Sequence, residues 1–321
     1  MWPTLYEHPG GTALHTYGMF ILLAFCAAFL LTHWRVQRVG YHPDRLIPLY
    51  VAAAVGGLLG GRILYSLAVE PGIWGLISSP GDLFAGSGFA LYGGIIGGAV
   101  GVGFAARYQG LDLWKMSDVA APAVLIGVGV GRIACFFAGC CHGSQVAVAD
   151  MHPLLPDGLL GGQVYWTSGF PWIVNVFDHP DGVGRLLHVP LYPTQLWHAF
   201  GATGLAIFTT LIWDRRRFDG QIAAFTLMSE PLVRAFTESF RADQRGYFTT
   251  FPVNETVARW LPGLVSAGDA IDGARMGITT SQAIGAACLV LGVAIMAYRW
   301  NAGKIPEISV DDQEDLDLAR A

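Results

Sequence analysis

The sequence predicts an all-α integral membrane protein. It has seven transmembrane helices, the N-terminus outside, the C-terminus cytoplasmic, and a small extracytoplasmic head. Three observations carry this. Only 13% of the 321 residues are charged and 53% are hydrophobic, whereas roughly a quarter of a soluble domain is charged. Apolar runs fall at 17–34, 46–69, 88–106, 119–139, 196–213, 222–240 and 282–298. Each crosses about 30 Å of hydrocarbon at about 1.5 Å per residue, with modest adjustment. Lys and Arg are spread unevenly over alternate loops, which sets direction.

Taken in order, residues 1–16 contain no Lys or Arg and so lack the positive start of a signal peptide. The first run is read as a retained helix. Arg35, Arg38 and Arg45 follow it, Arg107 and Lys115 follow the third run, and Arg215, Arg216 and Arg217 follow the fifth. Arg299, Lys304 and Arg320 follow the seventh. On the other side, Arg185, Arg241, Arg245, Arg259 and Arg275 are spread over two long loops, and the short segments 1–16 and 70–87 have none. The first set is expected in the cytoplasm.

The membrane body is expected over 1–300. Residues 144–191 hold five prolines, Trp166 and Trp172 and form the expected head; 242–281 is a second outer loop. An acidic cytoplasmic tail, 301–321, is expected to be disordered. It holds six of the 24 acids, so the body is near neutral. A nucleic-acid partner is not expected.

Glycine numbers 42. Gly57 with Gly61, Gly94 with Gly98, and Gly127 with Gly131 fit the small-xxx-small spacing that lets helix backbones approach closely. Packing is the ordinary role; a minority of glycines leave room for a lipid head group.

Arg62, Arg132 and Arg234 lie inside the second, fourth and sixth runs. Charges at such depth are costly and face polar cavities. Counted from the cytoplasmic side, all three fall at roughly 18–24 Å, in the outer half of the bilayer. Glu230 and Glu238 flank Arg234 at four-residue spacing, on its helical face. Two acids leave positive charge over if the cavity is shared. A planar guanidinium suits a phosphate, and a phospholipid head group is the phosphate a membrane offers. Local pairing of each arginine is the plainer alternative. Tyr17 and Tyr92 stand near the outer ends of their runs, where anchoring to the interface competes with lining a pocket.

Five cysteines is an odd number, which speaks against a disulfide framework. Cys135, Cys140 and Cys141 precede His142. The spacing gives half of a zinc pattern with no second half in the outer loops, so no metal site is expected. A Cys135–Cys140 bridge and a plain small-residue wall stay open.

Six blocks then carry a resemblance: HTYGMFILLAF (15–25), GGRILY (60–65), GFALYGGIIGG (88–98), SDVAAPAVLIGVGVGRIACFFAGCCHG (117–143), YPTQLWHA (192–199) and RAFTESFRADQRG (234–246). Their order over about 14–299 resembles the prolipoprotein diacylglyceryl transferase family. The resemblance implies a multi-pass enzyme of the bacterial inner membrane. It moves the diacylglyceryl group of phosphatidylglycerol to the thiol of a lipobox cysteine in a prolipoprotein. A thioether forms and glycerol phosphate leaves, with no cofactor. The partners implied are phosphatidylglycerol, the lipobox peptide and membrane lipids.

Arg132, Arg234 and Glu238 by family position, Tyr92 in the place of the family histidine, and His142 as the nearest imidazole by sequence are the catalytic candidates. Arg132, Tyr17, Arg62, Gly93, Gly94, Gly143 and Gln195 are the phospholipid-binding candidates. The chain departs from the family where Tyr92 replaces a histidine before Gly-Gly, where Cys135 and Cys140 replace an asparagine and an acid, and where His198 replaces an acid. His142 is the nearest imidazole to supply a proton acceptor. Two other readings stay open: a related phospholipid-using transferase with a different acceptor, and a transporter of an anionic solute. No inverted repeat supports the last.

Overall fold

The computed structural model describes residues 4–7, 13–68, 91–154, 164–177, 188–242, 247–252, 265–266 and 275–300. The expected tail at 301–321 and parts of the head and second outer loop lie outside the described residues.

Helices dominate, one on each apolar run. They are α1 Thr16–Arg38, α2 Leu46–Ala68, α3 Leu91–Tyr108, α4 Leu113–Ala138, α5 Thr194–Leu211, α6 Gln221–Glu238 and α7 Thr280–Trp300. α4 begins ahead of its apolar run because Asp112 caps it. The Asp112 carboxylate accepts hydrogen bonds from the backbone N–H of Trp114 (2.8 Å) and Lys115 (3.0 Å), satisfying amides that open a helix. α7 opens on a reciprocal box: Gln282 Oε1 accepts from the Thr279 N–H (3.1 Å), and Thr279 Oγ1 accepts from the Gln282 N–H (3.2 Å).

Thr16–Arg38, Leu46–Ser66, Leu113–Ala138 and Ser281–Trp300 are long and apolar enough to cross a membrane on length and composition alone. α6 carries Glu230, Arg234 and Glu238 in 18 residues, and that charge lowers its hydropathy. The outward faces match a hydrocarbon solvent. Along α2, Ile47, Val51, Val55 and Leu58 are exposed, and along α3, Ile96, Val100 and Phe104. Such four-residue stripes would be buried in a soluble protein. The chain is a helical membrane protein.

Arginine stacks on tryptophan near several helix ends. Arg38 lies 3.8 Å from the Trp34 ring centre, Arg216 4.3 Å from Trp213, and Arg217 4.7 Å from Trp300. Such rings sit well at a membrane–water boundary.

The chain divides into two compact units, residues 30–120 and residues 1–29 with 121–321. In the first, α2 and α3 pack backbone to backbone. A β-carbon on Gly56 or Gly60 would strike the carbonyl of Gly97 or Gly93, and one on Gly101 that of Ala52. This corrects the expected stripe. A β-carbon on Gly57 would lie 3.5 Å from the Gly94 carbonyl and one on Gly98 3.4 Å from that of Ala53, which are looser contacts. Paired glycines offer two adjacent stripes, and spacing alone does not choose between them. α4 follows the same pattern. A β-carbon on Gly129 would strike Thr203 of α5, whereas Gly127 and Gly131 meet neighbours only near 4.0 Å.

In the second unit, α6 and α7 meet at Gly285 against Pro231 and at Gly292 against Met228 and Ala224. Two antiparallel strands, β1 Thr4–Glu7 and β2 Ala13–His15, precede α1. The segment expected as the head contains a three-stranded antiparallel sheet in the order β3 His152–Pro153, β4 Val164–Trp166, β5 Ile173–Asn175. Val164, Phe177 and Leu191 pack on Phe136 of α4, which seats the sheet on that helix end. A second antiparallel sheet follows, with strands β6 Tyr247–Pro252, β7 Val265–Ser266 and β8 Arg275–Thr279. β8 pairs with both others and runs directly into α7.

Candidate active site

Three helix ends are stitched together by short backbone pairings. The segment after α4 takes hydrogen bonds from those before α5 and after α6, and returns them. Gly143 N–H donates to the Tyr192 carbonyl (3.1 Å), Ser144 N–H to Phe240 (2.9 Å), Tyr192 N–H to Ser144 (3.1 Å) and Ala242 N–H to His142 (3.2 Å). Gly143 is the crossing point. A β-carbon there would strike Tyr192 and come within 3.0 Å of the Phe240 carbonyl. Two side chains of the Tyr-Pro-Thr-Gln block add to the seam. Thr194 Oγ1 donates to the Cys141 carbonyl (2.9 Å) and Gln195 Nε2 to the Cys140 carbonyl (3.0 Å).

The turn that ends α4 gathers the thiols. Gly139, at φ 69°, closes a Schellman motif: its N–H donates to Phe136 (3.2 Å) and the Cys140 N–H reaches back to Cys135 (3.2 Å). In this motif the residues at Cys135 and Cys140 come into contact. Cys141 then adopts φ 61°, which is uncommon for a residue other than glycine. The three Sγ atoms lie within 4.8 Å of one another. None of the three is in a disulfide.

Arg132 lies one turn before Cys135 on α4. It is within electrostatic reach of Cys135, Cys141, Arg234 and Arg241, and Tyr17, at the start of α1, is within reach of Arg132 and all three thiols. The expected Arg234–Glu238 pair does not form. α6 ends at Glu238, and the chain curls back so that the Arg241 N–H meets the Glu238 carbonyl at 3.2 Å. Glu238, buried, faces Arg241 at 3.8 Å instead. Glu230 lies 3.3 Å from His198 Nε2. Arg234 donates from Nη2 to the Ser281 hydroxyl (3.0 Å), while its buried Nε has no partner among the described residues. Among the described residues no carboxylate lies at ion-pair distance from Arg132 or Arg234. Arg132 and Arg234 are thus within electrostatic reach of each other and of Glu230, with no direct ion pair to an acid among the described residues, which suits an anion with several oxygens.

Two imidazoles are near. His142 Nδ1 lies 3.0 Å from the Gly143 carbonyl; a carbonyl only accepts, so Nδ1 carries a proton, and in the neutral ring the lone pair is on Nε2. His198 is buried and shares a contact with Glu230. Sequence reading marked His198 only as a lost acid. The structure returns a carboxylate from α6, a compensation between residues 32 positions apart that no local motif displays. Outside the helices, burial pushes the Tyr192 phenol up. The Ser168 hydroxyl on Asp150 (2.8 Å) holds that carboxyl below its usual range, aided by His152.

Arg132, Arg234, Glu238, His142, Tyr17, Gly143 and Gln195 therefore gather around one seam. Gln195 is spent within the protein: its Oε1 accepts from Asn175 Nδ2 (3.3 Å) and its Nε2 holds Cys140. Arg62 lies half-buried on α2. Gly93 packs on Gly60, and Gly94 is its neighbour on α3; these belong to the other unit. The side chain of Tyr92 lies outside the described residues.

These features define a class: a multi-pass helical membrane protein with two electrostatically coupled arginines, neither in a direct ion pair among the described residues, beside a bend of the chain. The family model described as prolipoprotein diacylglyceryl transferase matches residues 3–298, and the chain belongs to that family. It is 30% identical over 261 residues to the phosphatidylglycerol–prolipoprotein diacylglyceryl transferase of Clostridium tetani, covering 80% of this chain and 92% of the relative. A Clostridium perfringens enzyme of that name is 28% identical over 74% of this chain and 82% of its own. One from Legionella pneumophila (strain Paris) is 30% identical over 72% and 80%.

Proposed function

We infer that this chain transfers the diacylglyceryl group of phosphatidylglycerol to a prolipoprotein. The acceptor is the thiol of a lipobox cysteine, and glycerol phosphate leaves. The single observation that carries the site is that Arg132 and Arg234 lie within electrostatic reach of each other, share Glu230 at longer range, and have no carboxylate at ion-pair distance among the described residues. A phosphodiester bridges them, and as its C–O bond breaks the negative charge gathers on the departing phosphate. Fixed cations that meet developing charge lower the barrier. Glu238 holds Arg241 at the rim, and Glu230 balances charge through His198. His142, with Nε2 open, accepts the thiol proton, because the thiolate is the nucleophile.

Seven helices cross the bacterial inner membrane, with the N-terminus outside and the C-terminus cytoplasmic. Arginine clusters after α1, α3, α5 and α7 support that direction. The seam then faces outward, where secreted prolipoproteins arrive. Gly143 and Gln195 position the seam, and Tyr17 flanks the phosphate. For Arg62, Tyr92, Gly93 and Gly94, support comes from sequence depth and family position alone.

The test is complementation of a bacterium depleted of its own transferase, scored by lipidation of a model prolipoprotein. Lipidation is expected; its absence despite full membrane expression would favour an acceptor other than a prolipoprotein, the reading that Tyr92 raises. His142→Gln is expected to change the pH–rate profile of glycerol phosphate release. An unchanged profile removes His142 as the proton acceptor.

A further inference from the structure

We propose that Cys135, Cys140 and Cys141 form a three-thiolate site for one zinc-class ion, whose open fourth position holds the acceptor thiol. The proposal rests on the transferase reading above for the identity of that thiol, but not for the metal site. Three sulfur atoms within 4.8 Å of one another are already gathered by backbone geometry. A tetrahedral zinc with Zn–S near 2.3 Å needs sulfurs about 3.8 Å apart, a closure of about 1 Å at most. Two of the ligands are juxtaposed by the helix-ending turn at Gly139, and the third is brought in by the left-handed backbone of Cys141.

The surroundings fit the charge. Three thiolates and a divalent ion leave one net negative charge. Arg241 hydrogen-bonds Cys141, and Arg132 lies within electrostatic reach of Cys135 and Cys141. Zinc sites closed by four protein ligands are structural, whereas those with three keep a position for water or substrate. Thiolate ligands select soft or borderline ions. A sequence reading looks for a second Cys pair far along the chain. Here the third ligand is the adjacent residue, and only the φ of Cys141 reveals it.

The step balances. The acceptor S–H binds the ion, which favours its thiolate form, and its proton is released to water. The sulfur forms a bond to the glycerol carbon of the phospholipid. The bond from that carbon to the phosphate oxygen breaks, and glycerol phosphate leaves with the electron pair. The thioether, a poorer ligand than a thiolate, leaves the ion. This accounts for thiols standing where the family carries an asparagine and an acid, and where its histidine is Tyr92.

The purified full-length chain is titrated with Cd2+, and sulfur-to-metal charge-transfer absorption is read. Bound zinc is measured by elemental analysis. One ion per chain is expected, lost in Cys140→Ser and in Cys135→Ser and retained in Cys26→Ser. No charge-transfer band, or a disulfide between two of the three cysteines found by mass spectrometry, overturns the site. Glycerol phosphate release from phosphatidylglycerol with a lipobox peptide is expected to fall on chelation and to return with zinc. Full activity after complete metal removal overturns the thiol-holding role and leaves the transferase reading intact. Stoichiometric metal without any glycerol phosphate release upholds the site and removes that reading instead.

Discussion

The α2–α3 pair and the seam at the ends of α4, α5 and α6 solve different problems with similar residues. In the pair, glycines remove side chains so that two backbones touch, and exposed Val, Ile and Phe stripes face outward. Without a hydrophobic drive between helices in lipid, close contact is what holds them. At the seam, glycines at 139 and 143 let the chain turn and cross, and the carbonyls so displayed are bonded by Thr194 and Gln195. The first region spends glycine on packing. The second spends it on aiming polar groups.

Breaking the seam's chemistry has the largest expected effect. Arg132→Ala is expected to lower transfer by roughly a hundredfold or more, the scale for losing a fixed donor to developing charge, with membrane expression unchanged. Activity near wild type would move the phosphate site elsewhere. Breaking the pair acts on stability. Gly97→Ala would drive a β-carbon into the Gly56 carbonyl, whereas Gly103→Ala meets nothing within 4 Å. The first is expected to cost about 1–3 kcal/mol and the second little, read as thermal stability in detergent. Equal stability of the two would mean that the pair is not packed as described.

A double-mutant cycle sharpens the seam further. His198→Gln and Glu230→Gln are expected to be non-additive in activity by about 0.5–3 kcal/mol, as for groups in contact. Additive losses would break the dyad into two independent residues. The smallest effect lies in the head. Asp150 is held below its ordinary pKa by Ser168, then by His152. Its contribution is present above the unfolded value and is lost as pH falls through the depressed folded value. Limited proteolysis of the 144–191 segment is expected to accelerate over that acid range in the wild type and to be nearly pH-independent there in Asp150→Asn.

The helices were legible because their signal is continuous: a run such as 46–69 has one reading in lipid. Arg132 and Arg234 were legible for the related reason that charge at depth is rare. Which acid answers which arginine was not. The i to i+4 rule offered Glu238 to Arg234, yet the helix stops at Glu238 and the returning chain brings Arg241 to it. The His198–Glu230 contact and the gathering of three thiols depend on how separate segments are joined, and neither leaves a periodic trace. The glycine stripes were visible as a class, but their phase was set by which backbone arrives opposite.

The seam holds Cys140 and Cys141 by their carbonyl oxygens, through Gln195 and Thr194. A carbonyl is the same whatever side chain follows. The turn can therefore keep its position while the residues displayed on it change from an acid to a thiol. Inheritance can rewrite the chemistry at these two positions without renegotiating the scaffold, and transplanting other relatives' residues into 140 and 141 is a route to altered acceptor preference in an otherwise unaltered membrane body.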